Sequence, residues 1–364
     1  MKILWFTWKD KKNLLSGGAE LINEGIAKKL AENGHEVIFL VGGFKGCKKE
    51  EEIDGYKIIR IGNRWTVYWQ AYRYYKKNLK GWADIVIDEV NTIPFFCKFY
   101  VKEKNLVFAY QLCREIWFYQ MPFPLSLIGY LTEPVYLRML LDRKVITESE
   151  STKADLQKYS FKKENISIIP IALDIEPVKN IENIEKYPEF TVLSLGSIRS
   201  MKRTIDQLRA FEIAKEKIPE LKFKIAGEAE GSYGKKFLKL IQNNKYKEDI
   251  EYLGKVDINK KLELLQKCHL ILVTSVKEGW GLVVTEANSQ GTPAIVYGVD
   301  GLRDSVKDGK TGLVCSENNP ANIAENIVKV FEDKALYERL RVDSWQYASG
   351  FSWNRTYKEF VKNI

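Results

Sequence analysis

Apolar and polar positions follow two patterns along the chain. Short apolar runs, typical of buried strands, are separated by longer segments in which apolar residues recur every three or four positions, as on one face of a helix. In the first half, strands are predicted at KILWFT, EVIFLV, YKIIRI, DIVID, NLVFAY and KVIT. In the second half, they are predicted at TVLSLG, LKFKIAG, IEYLG, HLILVTS and AIVYG. The first helix is predicted over residues 18–33, because Leu21, Ile22, Ile26 and Leu30 lie on one stripe and Gly34 is a typical C-terminal stop.

The alternation of strands and helices predicts an α/β fold of parallel sheets with helices on both faces. The pattern breaks over residues 168–190, a polar stretch that contains Pro170, Pro177 and Pro188. Such a stretch is typical of a linker between domains. We therefore expect two doubly wound domains that face each other across a cleft. Ligands of such sheets bind outside the carboxyl ends of the strands.

Composition indicates a soluble globular protein in a reducing compartment. The chain has 364 residues, 45% hydrophobic and 29% charged, which is enough for two domains with separate cores. No apolar run of about 18 residues predicts a transmembrane helix. The first residues, MKILWFTWKDKKN, become charged too soon for a signal peptide. Five scattered cysteines without a C-x-x-C pair argue against a zinc site, and we expect a cytoplasmic protein.

The net charge of +9 is compatible with several kinds of partner. A nucleic acid, an anionic membrane surface or a phosphorylated ligand would each suit it. A solvated lysine-rich surface is the simpler explanation, because the lysines are spread along the whole chain. The two histidines, His35 and His269, lie at the starts of predicted strands, and we expect both to be structural.

The segment KEGWGLVVTEANSQGTP, residues 277–293, follows the apolar strand HLILVTS and suggests a ligand site. Gly279 and Gly281 allow a sharp turn and a close approach of the backbone to a ligand. The free amides at the start of the next helix, near residues 281–283, are suited to phosphate. Glu286 is suited to the two hydroxyls of a ribose, and Glu278 to those of a sugar. The alternative is that both glutamates are ordinary surface acids.

EGWGLVVTEANSQGTPAIV resembles the signature of glycosyltransferase family 4, retaining enzymes of the GT-B fold. GGAELINEGIAKKLAENGHEV, KVITESESTKADL, LGSIRSMKRTIDQLRAF and DSVKDGKTGLVC resemble further parts of the same family. The resemblance covers nearly the whole chain and is looser over residues 45–140. It implies an acceptor-side Rossmann-like domain over residues 1–172, to which a helix of about residues 350–364 crosses back. A domain over residues 173–349 would bind the nucleotide sugar.

The resemblance also implies which residues bind the donor. Lys202 stands at the position of a lysine that grips the pyrophosphate, whereas Ser197 stands where the family has an arginine, with Arg199 and Arg203 nearby as substitutes. Gly17 and Gly18 form the loop that the family uses against the donor phosphates or the acceptor. The signature itself supplies the remaining donor-binding residues, namely Glu278, Gly279, Trp280, Gly281, Leu282, Val283 and Glu286.

Family members usually carry a histidine where this chain has Tyr110, at the end of the predicted strand NLVFAY. Three explanations are open. The correspondence is off by a residue, the protein is a non-catalytic nucleotide-sugar binder or partner subunit, or Tyr110 does the work. In the last case, its phenol donates a hydrogen bond to a sugar hydroxyl, or its main-chain carbonyl faces the anomeric carbon. We expect catalysis by Glu278, Lys202 and Tyr110.

Neither a metal nor a cofactor is expected. The chain has no D-x-D motif, no P-loop and no G-x-G-x-x-G in its first loop. The resemblance implies a UDP- or GDP-sugar as donor, a leaving phosphate that takes the acceptor proton, and a saccharide or lipid-linked acceptor of unidentified structure. An RNA-binding protein is a rival, but no recognition motif supports a nucleic acid partner.

Two aromatic segments of the first half have a second interpretation. In residues 64–82, one helical face carries Trp65, Tyr68, Trp69, Tyr72, Tyr75 and Leu79, with lysines and arginines elsewhere. Residues 116–140 are apolar enough to guide a lipid-linked acceptor. Both segments could instead pack into the core; otherwise, residues 64–82 would make a peripheral contact with an anionic membrane, at its inner face.

Overall fold

A computed structural model describes every residue from Met1 to Ile364, and the chain divides into two compact units. Unit 1 comprises Met1–Asp174 and Phe351–Ile364, and unit 2 comprises Ile175–Gly350. Each unit is built on its own sheet.

Unit 1 contains an eight-stranded sheet in the order β3-β4-β2-β1-β5-β6-β7-β8. All neighbouring strands are parallel except β3 and β4, which form an antiparallel edge. The central strands are apolar at nearly every position because helices cover both faces of the sheet. The strands are β1 (Lys2–Phe6), β2 (Glu36–Gly42), β3 (Glu50–Ile53), β4 (Tyr56–Ile61), β5 (Ile85–Val90), β6 (Lys104–Ala109), β7 (Val145–Thr147) and β8 (Ile166–Ile168).

The helices of unit 1 that precede unit 2 are α1 (Gly18–Glu32), α2 (Val67–Tyr74), α3 (Trp117–Gln120), α4 (Leu125–Arg138) and α5 (Glu150–Lys158). α1 buries Ile22, Ile26 and Leu30 of the predicted stripe, whereas Leu21 is only partly buried. α2 continues as one π-helical turn over Tyr75–Leu79, so the aromatic face predicted for residues 64–82 does not stay together. Tyr75 and Leu79 enter the core, whereas Trp65 and Trp69 are exposed.

Unit 2 contains a six-stranded, fully parallel sheet in the order β11-β10-β9-β12-β13-β14. Its strands are β9 (Thr191–Leu195), β10 (Lys222–Ala226), β11 (Ile250–Gly254), β12 (Leu270–Val273), β13 (Ala294–Val296) and β14 (Gly312–Val314). Its helices are α6 (Thr204–Lys215), α7 (Gly231–Gln242), α8 (Ile258–Lys267), α9 (Leu282–Ser289), α10 (Leu302–Ser305), α11 (Pro320–Glu332) and α12 (Lys334–Ala348). Both sheets are therefore of the expected parallel, doubly wound α/β type.

Every strand predicted from an apolar run is present, but three strands were not predicted. β3 is EEEI, which lacks a buried face because it lies at the sheet edge. β8 and β14 have only three residues each, too few to show a period. No helix of the chain is both long enough and apolar enough to cross a bilayer.

The boundary between the units falls at Asp174–Ile175, inside the segment predicted as a linker. The segment is not solvated, however. Ile169 and Ile171 are buried in unit 1, and Ile181 in unit 2. Lys186 donates to the carbonyls of Gln266, Cys268 and Gly291 and to the Thr292 hydroxyl at 2.7–2.9 Å, which attaches the segment firmly to unit 2.

The last helix, α13 (Trp353–Val361), belongs to unit 1. Phe360 is fully buried, and its ring stacks on Trp5 of β1 with centroids 5.7 Å apart. Trp353 packs against Gly25 of α1, where any added Cβ would lie 1.9 Å from the indole. The packing of this helix depends on aromatic residues at helical spacing in the last fourteen residues of the chain.

Candidate active site

The sheet of unit 2 changes its direction of winding between β9 and β12. β10 and β11 extend the sheet on one side of β9, and β12, β13 and β14 extend it on the other. A crevice at such a point, outside the carboxyl ends of the strands, is the usual ligand site of a doubly wound sheet. A pocket lies here. Its lining includes Gly196 and Ser197 after β9, Lys202, Ser275 after β12, and Val283 of α9.

An ion pair between Lys202 and Glu278 lies at this pocket. Lys202 Nζ is 2.5 Å from Glu278 Oε1, and the Ser275 hydroxyl donates to the same oxygen at 2.6 Å. Burial raises the pKa of the Glu278 carboxyl, but the charge and hydrogen bond of Lys202, the hydrogen bond of Ser275 and the charge of Arg199 together lower it below its usual value. Glu278 is therefore ionised at neutral pH and is held in one place as a hydrogen-bond acceptor.

The loops that carry the two partners are joined through Thr274. Its hydroxyl donates to the carbonyl oxygen of Lys202 at 2.8 Å and accepts from Gln207 Nε2 at 2.9 Å. Val276 N donates to the carbonyl of Met201 at 2.9 Å. The lysine and the glutamate are thus fixed by main-chain contacts in addition to their own attraction.

Glycines determine the course of the Glu278 loop and the start of α9. Gly281 caps α9 with φ of +93°, a conformation that favours glycine. Gly301 has φ of +78°, and an added Cβ there would lie 2.2 Å from the carbonyl oxygen of Glu278. The first amides of α9, at Leu282 and Val283, have no intrahelical acceptor, as in the first turn of any helix. This end of α9 lies at the pocket, which Val283 helps to line.

Glu286 lies one turn into α9 and is nearly buried. Lys261 of α8 approaches its Oε1 to 2.7 Å, so this carboxylate is also held by a lysine. Trp280 is folded back onto the same helix, because its indole Nε1 donates to the Thr285 hydroxyl at 2.8 Å. Gly279 lies between Glu278 and Trp280 and is half-buried.

The two arginines near Lys202 have different surroundings. Arg199 lies close enough to Glu278 for its charge to lower the pKa of the Glu278 carboxyl. The Nε of Arg199 is buried without a hydrogen-bond partner. Arg203 adopts a left-handed conformation, with φ of +49°, and places its guanidinium 5.9 Å from the centre of the Tyr297 ring. Of the two, Arg199 has the environment that suits a substitute for the missing arginine at position 197.

The remaining candidates lie in unit 1, where they contact one another. Gly17 caps α1, and its amide donates to Glu20 Oε2 at 2.6 Å; Gly18 is the first residue of the helix. Tyr110 follows β6 and is only 5% exposed. Its phenol donates to Asn23 Oδ1 and lies 3.1 Å from the carbonyl oxygen of Ala19. Its own carbonyl accepts from the Thr152 hydroxyl at 2.9 Å, so both polar groups of Tyr110 have partners within unit 1.

Buried carboxyls surround Tyr110. Asn23 Nδ2 donates to Glu89 Oε2 at 2.6 Å, and Glu148 is buried with its Oε1 lacking a hydrogen-bond partner. Burial raises the pKa of the Glu89 carboxyl to about 8, with a further rise from the charge of Glu20. Burial, and then the charge of Glu89, raises the pKa of Glu148 to about 8. This end of the sheet therefore holds carboxyl groups that are protonated at neutral pH.

The structure brings the predicted donor-side residues of unit 2 into one neighbourhood, but sequence reasoning missed several of their partners. Ser275 closes the predicted strand HLILVTS, and a serine three residues before Glu278 is a signal for a local hydrogen bond. Lys261 had no such signal, because it comes from a different helix. In unit 1, the buried carboxyl of Glu148 was missed as well, because in the sequence TESES it is one of two similar glutamates and only its burial distinguishes it.

Comparison with known proteins identifies the family of both units. Residues 16–177 match the family described as Glycosyltransferase Family 4, and residues 176–344 match Glycosyl transferases group 1. The poly(glycerol-phosphate) alpha-glucosyltransferase of Bacillus subtilis (strain 168) is 30% identical over 208 residues, which are 56% of this chain and 30% of that protein. The N-acetyl-alpha-D-glucosaminyl L-malate synthase of Bacillus anthracis is 28% identical over 152 residues, 42% of this chain and 39% of that protein. The chain thus spans well under half the length of these curated relatives.

Solved structures share the fold along nearly the whole chain. Sucrose-phosphate synthase from Thermosynechococcus elongatus superposes with a TM-score of 0.82 at 18% identity, covering 99% of this chain and 97% of that one. Anabaena HepE in complex with UDP-glucose superposes with a TM-score of 0.74 at 16% identity, covering 100% of this chain and 98% of that one. The two matched regions together cover most of the sequence, and the chain belongs to the glycosyltransferase family 4, group 1, a family of transferases with the GT-B fold.

Proposed function

We propose that this protein is a retaining glycosyltransferase that moves a sugar from a UDP- or GDP-sugar to an acceptor without a metal ion. The observation that carries the proposal is the Lys202–Glu278 pair at the switch point of the unit 2 sheet, beside the start of α9. A cation and free helix amides suit a diphosphate, and a fixed carboxylate suits sugar hydroxyls. Few other ligands require a cation with free amides and a fixed carboxylate at the same point.

Each residue has a role in this proposal. Lys202, Arg199 and the amides of Leu282 and Val283 bind the diphosphate and stabilise the negative charge that grows on it as it leaves. Glu278 accepts hydrogen bonds from the sugar, and Glu286 accepts them from the ribose, with Lys261 fixing the Glu286 carboxylate. The ion pair keeps Lys202 in position before the donor binds, and the diphosphate would then compete with Glu278 for the ammonium group.

The assignment of a uridine nucleotide is supported by solved structures of the same fold. Anabaena HepE, which has the same fold, was solved with UDP-glucose and with UDP and glucose. Curated relatives are named for acceptors as different as poly(glycerol phosphate) and L-malate, so the acceptor of this protein is proposed only as a saccharide, a small polyol or a lipid-linked chain. We place the enzyme in the cytoplasm, where nucleotide sugars are made.

A non-catalytic nucleotide-sugar binder is the second candidate, and Tyr110 favours it. Both polar groups of this residue are engaged within unit 1, whereas the family usually has a histidine there. We propose that Tyr110 positions α1, including the Gly17–Gly18 loop, against β6. In the catalytic proposal, the chemistry then depends on the residues of unit 2 and on the leaving phosphate.

A panel of nucleoside diphosphates and their sugars tests the proposal, with thermal shift and calorimetry as measurements. A ligand at a hundred times its dissociation constant stabilises the folded protein by about 2.7 kcal/mol, so one base should raise the melting temperature clearly above the others. Release of free sugar from the bound donor then separates an enzyme from a binder. Binding without any hydrolysis or transfer supports the second candidate, and the absence of binding by every nucleotide contradicts both.

A further inference from the structure

Helix α4 has its polarity reversed relative to an ordinary surface helix. Its buried face contains Ser126, Gly129 and Glu133, together with Tyr136 and Leu137. Its solvent face is apolar and carries Leu127, Ile128, Leu131, Val135 and, just after the helix, Met139. The one charge on the outer face is Arg138. A soluble helix normally shows the opposite arrangement.

Contacts with the preceding segment fix this orientation. Glu133 accepts from the amides of Cys113 and Arg114 at 2.7 and 2.6 Å, and from the indole of Trp117 at 3.1 Å. Gly129 lies against the same indole, where an added Cβ would be 2.4 Å from ring carbons. Rotating the helix to bury its apolar side would leave the Glu133 carboxylate without these donors. The exposure of the apolar face is therefore built into the fold.

The apolar surface extends beyond the helix at both ends. Phe123, 79% exposed, precedes α4, and Phe118 packs on Tyr130 with ring centroids 5.4 Å apart. At the other end, Lys98 donates to the carbonyl of Met139 at 2.6 Å, which brings the exposed Phe99 to the same region. Monomeric soluble proteins rarely leave so many large apolar side chains together on one face.

A cationic segment borders this surface. Arg64 reaches Met121, just before Phe123, with its guanidinium 3.9 Å from the sulfur. Residues 64–82 contain five lysines and arginines and no aspartate or glutamate. All five cations are exposed, as are Trp65 and Trp69. Positive charge and tryptophan beside an apolar face are characteristic of helices that lie in the interface of an anionic bilayer.

We infer that the outer face of α4, with Phe123, docks on an anionic lipid bilayer, and that the cations of residues 64–82 contact its headgroups. The positive charge of residues 64–82 favours an anionic bilayer over a second copy of this chain as the partner, because two copies would bring like charges together. The inference does not rest on the proposed function, since it concerns unit 1 alone and makes no use of a sugar donor.

Co-sedimentation with vesicles tests the inference on the full chain. Wild-type protein is mixed with vesicles of phosphatidylglycerol and phosphatidylcholine, or of phosphatidylcholine alone. We expect binding to the former, weakened by salt, and little binding to the latter. Ile128→Glu should reduce binding by about tenfold or more, because it puts a charge in the apolar contact. The matched control is Ile258→Glu in unit 2, since Ile258 and Ile128 are 53% and 52% exposed.

A second pair of variants tests the cationic border. Lys76→Glu with Lys77→Glu should weaken binding to anionic vesicles, whereas Lys235→Glu with Lys236→Glu, an exposed lysine pair on α7, should not. Melting temperatures of the variants show that they are folded, and Leu131→Asn replaces Ile128→Glu if the latter is not. Equal vesicle binding by wild type and Ile128→Glu would overturn the inference. So would a wild type that ignores vesicles, or one that forms a dimer abolished by Ile128→Glu.

Discussion

At the scale of single residues, the site of unit 2 consists of charged side chains held by other charged side chains. Lys202 holds Glu278, and Lys261 holds Glu286. Such pairs keep carboxylates oriented before a ligand arrives, which lowers the cost of binding. Tyr110 and Glu148 of unit 1 are different, because both are buried and the polar groups of Tyr110 are hydrogen-bonded within unit 1.

Tyr110→Phe separates a structural role from a chemical one. The variant leaves Asn23 Oδ1 and the Ala19 carbonyl without the phenol, and we expect a loss of about 1–2 kcal/mol in the free energy of unfolding of unit 1. Donor turnover should change less than about threefold, since the phenol is committed to α1. Urea unfolding and donor hydrolysis measure the two effects. A large fall in turnover at unchanged stability would show that the hydroxyl contacts the substrate.

Glu148→Gln should alter how stability depends on pH. The pKa of this carboxyl is about 8 in the folded protein against an ordinary 4.5, so the folded state retains a proton that the unfolded chain has released. The free energy of unfolding therefore falls as pH rises from about 4.5 to 8. The neutral amide removes this loss, and the variant should exceed wild type by about 2–4 kcal/mol at pH 9 and differ little at pH 5.

Denaturant unfolding at several pH values measures the Glu148 effect. The exposed Glu164→Gln is the control, for which we expect the wild-type profile. A Glu148→Gln variant whose stability runs parallel to wild type from pH 5 to 9 would show that Glu148 is ionised throughout.

At the scale of elements, the turn between β13 and α10 constrains the backbone of the Glu278 loop. Gly301 lies against the carbonyl of Glu278, and Glu278 N donates to the carbonyl of Asp300 at 3.1 Å. The position of the Glu278 carboxylate thus depends on a turn more than twenty residues later in the chain. Sequence reasoning could not find this, because a glycine before a short helix is a common turn signal.

Gly301→Ala should impair the donor site, and Gly309→Ala is its matched control. Both glycines have a left-handed backbone, with φ of +78° and +72°, so both variants incur a strain of about 1 kcal/mol. Only at Gly301 does the new methyl group meet the backbone of Glu278; nothing lies within 4 Å at Gly309. Calorimetry should show at least about tenfold weaker donor binding for Gly301→Ala alone. Equal donor affinities of the two variants would show that the turn at Gly301 does not determine the geometry of the donor site.

At the scale of the whole molecule, the apolar runs were enough to predict two parallel sheets, because strands covered on both faces are apolar at every position. The order of the strands, and with it the switch point of the unit 2 sheet, was not predicted and is known only from the structure. Short or charged edge strands such as β3 and β14 were not predicted, because they lack that signal. The reversed polarity of α4 was also missed, since an apolar helix looks the same from sequence whether its apolar side faces the core or the solvent.

The most direct test of the central claim is the affinity of UDP and GDP for wild type and Glu286→Ala by calorimetry. We expect one nucleotide to bind wild type and the variant to bind it about 1–3 kcal/mol more weakly, because charged hydrogen bonds to the ribose are lost. Glu251→Ala is the control, another lysine-paired glutamate of unit 2, and should bind as wild type does. Unchanged affinity of Glu286→Ala, or no binding of either nucleotide to wild type, would contradict the account.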